Sequence, residues 1–169
     1  AGCRMTIADI FATHVRTRPD AVALIDARRG GDRRLTYAEL GQEVAAAAAW
    51  LEAQGIRRGQ AVLLFVPVSA DLYVALLALF RLGAVALLLD PGAGLEHLEQ
   101  GCSRWPPDAL LAVPRAHLLR LRSAALRRIP LPVAVGGWFP GARRWPSGRR
   151  SEFSDTGAAL PTEHPALVT

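Results

Sequence analysis

Residues 61–91 read "AVLLFVPVSADLYVALLALFRLGAVALLLDP", and this stretch decides the fold. Ala61 to Val66 is apolar on both faces of any strand it forms, the pattern of a parallel sheet covered by helices on each side. Pro67 ends that strand. Leu72 to Leu82 is almost entirely apolar and long enough for a helix, with Asp71 near its start to complement the dipole and Gly83 to stop it. Ala84 to Leu89 then reads as a second buried strand, closed by Asp90-Pro91-Gly92. Strand, helix and strand in this order make a βαβ unit with a right-handed crossover.

The same rhythm extends in both directions. Toward the amino terminus, Thr6 to Thr17 carries Ile7, Ile10, Phe11, His14 and Val15 at helical spacing and stops before Arg18-Pro19. Ala21 to Ile25 and Arg34 to Thr36 are short strands around a charged turn. Thr36-Tyr37-Ala38-Glu39 is a capping box, and the helix it opens puts Leu40, Val44, Ala47 and Leu51 on one face before Gly55. Toward the carboxyl terminus the spacing predicts a helix over Leu95–Cys102, a strand over Ala109–Val113, a helix over Ala116–Arg127 and a strand over Pro132–Val135. The fold class is therefore α/β, a largely parallel sheet with flanking helices. The chain divides into an extension at residues 1–5, the α/β unit at 6–135, a Gly/Pro/Arg-rich surface excursion at 136–165, and an opening strand at 166–169.

Composition narrows the chemistry. The 20 basic residues are all arginine, so a Walker A lysine, a Schiff-base lysine or a lysine general base is excluded from these residues. A net charge of +5 raises nucleic acid as a partner, but the arginines are scattered as pairs in turns and at helix ends, which weighs against it. The densest basic and aromatic stretch is "WFPGARRWPSGRR" at residues 138–150, which as a surface would suit stacked bases or an anionic membrane; a Pro/Gly loop with two half-buried tryptophans is the plainer reading. Cys3 and Cys102 have no metal-ligand spacing, which suits a reduced, cytoplasmic chain. The uncharged apolar runs are about half the ~20 residues that a membrane-spanning helix needs.

No G-x-G-x-x-G, G-x-S-x-G, H-E-x-x-H or paired-cysteine motif occurs, and no catalytic, cofactor-binding or metal-ligating residue is assigned. Open α/β sheets place ligands at the carboxyl edge of their strands. Ser69, Asp90 and His117 each follow a strand and so are pocket-rim candidates. Their bland alternatives are helix-capping or turn residues for Ser69 and Asp90, and a half-exposed first-turn residue for His117.

The ordered series "PDAVALID", "RLTYAELGQEVAAAAAWLEAQGIRRGQAVLLFVPVSADLYVALLALFRLGAVALLLDPG" resembles the N-terminal part of AMP-forming acyl-CoA synthetases, the adenylate-forming superfamily. The resemblance runs from about Ile7 to Arg128 and rests on the L-T-Y-x-E-L entry, the G-(I/V)-x-x-G-(D)-x-V lead-in and the R-x-G-A-V close of the apolar helix. Gln60 stands where that lead-in usually has aspartate. The D-P-G and P-x-A-H stretches are most similar to fatty-acid-type ligases and the β-lactone synthetases of olefin biosynthesis. The resemblance implies ATP-dependent activation of a fatty or β-hydroxy acid, with Mg²⁺ and, in one branch, coenzyme A. It also implies a phosphate loop directly after a strand like "PALVT", so these residues alone are expected to be incomplete at the carboxyl end, inactive without the C-terminal part of the same enzyme, and to bind none of the cofactors tightly. Two other readings stand beside it: a peptide-synthetase adenylation domain fragment, and a non-catalytic arginine-rich module that binds nucleic acid or makes peripheral contact with a membrane.

Overall fold

The computed structural model describes residues 6–27, 31–89, 92 and 94–146. The extension at 1–5, Asp90, the later part of the excursion and the expected strand at 166–169 lie outside the described residues. Helix α1 (Ile7–Thr17) opens with a capping box between Thr6 and Asp9. Strand β1 (Val22–Asp26) pairs antiparallel with β2 (Arg33–Thr36), and α2 (Tyr37–Ala53) starts on the Thr36–Glu39 capping box. Then follow β3 (Ala61–Phe65), α3 (Ala70–Leu82), β4 (Val85–Leu87), α4 (Leu95–Arg104) and β5 (Ala109–Ala112). A 3₁₀ turn at Pro114–Leu118 leads into α5 (Leu119–Arg122), α6 (Ala124–Arg127), β6 (Leu131–Ala134) and β7 (Arg143–Arg144).

Strands β3 to β7 form a five-stranded parallel sheet in the order β4-β3-β5-β6-β7. Both faces are covered, as the all-apolar strands require. Val62, Leu64 and Leu111 pack with α2, α3 and the β1–β2 hairpin, while Leu63, Phe65 and Leu110 pack with Leu98, Cys102 and Leu126 of α4 and α6. The alternation within a strand is the period-two consequence of its pleat. All five residues of β3 are buried, and each fully buried aliphatic side chain contributes about 1.5–3 kcal/mol relative to exposure. Gly83 ends α3 with φ of 68°, a left-handed conformation that glycine adopts without Cβ strain.

Three expectations change. Strand β4 is half-exposed rather than buried, because the sheet order leaves it on an edge. The single helix expected over Ala116–Arg127 is broken at Ser123, whose backbone is extended with φ −110° and ψ 121°. The buried Ser123 hydroxyl accepts from the Leu126 N–H and donates to Glu99 Oε1, so side-chain hydrogen bonds replace continued helix. Finally, the described part of the excursion is no simple surface loop. It returns to the sheet as β7, and the Trp145 N–H donates to Ala134 O at 2.9 Å. The two tryptophans of that stretch differ accordingly: Trp138 is 71% exposed, whereas Trp145 is 2% exposed and packs edge-on against Trp50 at 5.8 Å.

Candidate functional site

Sheet topology singles out one place. From β3 the chain crosses to β4 by way of α3 on one face, then returns to β5 on the other side of β3 by way of α4 on the opposite face. The carboxyl ends of the neighbouring strands β3 and β5 therefore flank the switch point, where open α/β sheets hold ligands. Ser69 follows β3 and His117 follows β5, so the structure brings these two sequence-chosen positions to adjacent strand ends. Asp90 lies outside the described residues.

Both side chains are engaged in local contacts, though His117 Nδ1 has no hydrogen-bond partner. Ser69 caps α3: its hydroxyl accepts from the Leu72 N–H at 3.4 Å and donates to Pro67 O at 3.0 Å. Asp26 at the end of β1 supports the same helix end, its carboxylate accepting from the Ala70 N–H at 3.1 Å. His117 is fully buried rather than half-exposed. Its Nε2–H donates to Val133 O at 3.0 Å, which fixes the neutral tautomer, and its ring stacks on Phe139 at 5.0 Å. Burial holds its pKa below the usual histidine value; the Arg120 cation adds to this, and the hydrogen bond to Val133 and a weaker backbone contribution from Ala112 oppose it.

The loops at this edge touch closely. A Cβ on Gly137, after β6, would lie 2.7 Å from Cγ of Pro114, after β5. The edge also exposes apolar side chains, among them Val68, Leu88, Leu118 and Trp138. No group of three or more His, Cys, Asp or Glu able to hold a metal occurs among the described residues.

The opposite edge, at Gln60, carries a second polar feature. Asp108, at the start of β5, accepts from the Ala61 N–H at 2.8 Å and from Gln60 Nε2 at 3.1 Å. Gln60 Oε1 accepts in turn from the Arg57 N–H at 2.6 Å. Gln60 and Asp108 border a cleft of about 440 Å³ with Pro132, Gly141 and Arg143. The Gln60–Asp108 pairing spans 48 residues and leaves no local signal.

Comparison with known proteins places this architecture. Residues 11–148 match the family of AMP-binding enzymes. The chain belongs to that family. It is 35% identical over 150 residues to an olefin beta-lactone synthetase of Stenotrophomonas maltophilia, covering 83% of this chain and 25% of that protein. It is also 35% identical over 131 residues to the medium/long-chain-fatty-acid–[acyl-carrier-protein] ligase FadD10 of Mycobacterium tuberculosis, covering 77% of this chain and 24% of the ligase. Among solved structures, the N-terminal subdomain of Klebsiella oxytoca NpsA, in complex with anthranilyl-AMSN, is similar with a TM-score of 0.58 and 29% identity, over 64% of this chain and 27% of that one. The chain thus spans about a quarter of the length of the relatives it matches. Fatty-acid ligases and β-lactone synthetases are thus among the homologues of this AMP-binding family member.

Proposed function

We propose that this chain is the N-terminal subdomain of a cytoplasmic ligase that activates a fatty or β-hydroxy fatty acid with ATP. A carboxylate oxygen attacks the α-phosphorus, the bond from that phosphorus to the bridging oxygen breaks, and acyl-AMP and pyrophosphate result. Positioning and charge stabilisation carry such a reaction. The bond from the acyl carbon to the phosphate oxygen then breaks with release of AMP, as the acyl group passes to coenzyme A or a carrier thiol, or as the β-hydroxyl closes on the acyl carbon to give a β-lactone. The observation that carries this reading is the 35% identity over most of the chain to an olefin beta-lactone synthetase. The exposed apolar side chains at the switch-point edge support an apolar acid or the apolar surface of further polypeptide.

In this reading the present residues build the sheet edge and the caps that shape it, and the magnesium and triphosphate contacts come from the remainder of the enzyme. The chain alone is inactive. The similarity to NpsA favours a second reading, an adenylation domain for an aromatic acid. A nucleic-acid or membrane module has weaker support, because burial of Trp145 in the core interrupts the basic-aromatic stretch as a surface.

The test fuses this chain to the C-terminal three-quarters of the Stenotrophomonas relative and measures ATP–pyrophosphate exchange across a panel of acids. Exchange that rises with 3-hydroxy fatty acids or fatty acids is the expected result. Exchange confined to aromatic or amino acids would select the second reading instead.

A further inference from the structure

We propose that His117 is an acid-labile latch, holding the segment after β6, residues 136–146, against the carboxyl edge of the sheet. Burial and two contacts meet at this one ring. It is fully buried between elements, it donates to the Val133 carbonyl in β6, and it stacks on Phe139 with an interplanar angle of 23°. Phe139 belongs to the turn that carries the chain from β6 to β7, closed by the Ala142 N–H donating to Phe139 O at 3.1 Å. The same segment is tied at its other end, where Trp145 enters the core beside Trp50. The neutral ring suits this place, because the ring is fully buried and lies near the Arg120 cation.

The neighbours decide this. Ala112 at the end of β5, Val133 in β6 and Phe139 in the turn carry no charge. The charge acting on the ring is that of Arg120 on the following helix, and no acidic side chain among the described residues acts on it. On β7, beyond β6, the exposed side chains are the cations Arg143 and Arg144. Protonation therefore places a second cation near Arg120 with no counterion among the described residues, a costly arrangement. Because folding depresses the pKa, the latch contributes fully above the unfolded histidine value of about 6.5 and is lost as pH falls through the folded value.

Hydrogen–deuterium exchange on the full chain, corrected for the intrinsic pH dependence of exchange, reads the latch directly. Between neutral pH and mildly acidic pH, amides of residues 131–146 are expected to lose protection severalfold while β3 keeps its own. His117→Gln keeps an Nε2 donor but does not titrate, so its segment is expected to hold equally at both pH values. Parallel loss in wild type and His117→Gln would overturn the proposal. If the variant does not fold, NMR titration of the wild-type ring decides. Protonation in step with release supports the latch, and release while the ring stays neutral overturns it.

Discussion

At the residue scale, Gln60 shows how one substitution against the family pattern is accommodated. Its amide donates to Asp108 while its carbonyl accepts from the Arg57 N–H. A carboxylate at position 60 would face Asp108 as a like charge and lose the donor. Gln60→Glu is therefore expected to destabilise the chain by about 1–3 kcal/mol at neutral pH, the usual cost of leaving a partly buried group unpaired. The loss should shrink in acid, where one carboxyl regains an O–H donor; urea unfolding of both proteins at pH 7 and near pH 4 checks this. Gly137 offers a steric counterpart. Its missing Cβ leaves room for the Pro114 ring, which would otherwise lie at 2.7 Å, so Gly137→Ala should cost about 1–3 kcal/mol by overpacking in the same assay.

At the element scale, helices α1, α2, α3 and α6 start where their side-chain caps stand. Ser69→Ala removes the side-chain cap of α3 and is expected to cost about 1 kcal/mol in thermal or chemical unfolding. Helix α1 depends on Asp9, whose carboxyl is held below its usual pKa by the Thr6 backbone N–H and, secondarily, the Thr6 hydroxyl. Its capping contribution is therefore present above the ordinary aspartate value and lost as pH falls through the lowered one. Amide exchange in α1 should rise over that acid range in wild type and not in Asp9→Asn. These elements were legible because their signals are local: the capping box at Thr36–Glu39, the face of Leu40, Val44, Ala47 and Leu51, and the stop at Gly83. The break at Ser123 was not legible, since it depends on Glu99 in a different helix.

At the scale of the whole molecule, alternating apolar strands and helices announced a parallel α/β sheet, whereas their order did not. Placing β4 on an edge, returning residues 143–145 to the sheet and burying Trp145 all depend on pairings that no local pattern encodes. The site followed the same division. Ser69 and His117 are candidates by the rule that ligands sit at strand ends, yet their partners Leu72, Val133 and Phe139 turn them inward. The chain alone exposes Val68, Leu88, Leu118, Leu121 and Trp138. It should therefore self-associate as its concentration rises in sedimentation velocity, because apolar surface of this kind is normally covered. The most direct test of the central claim, that these residues scaffold an adenylation site without completing it, is isotopic ATP–pyrophosphate exchange. The assay uses the folded 169-residue chain with Mg²⁺ and 3-hydroxy fatty acids. No acid-dependent exchange above background is expected; clear turnover by this chain on its own would contradict the account.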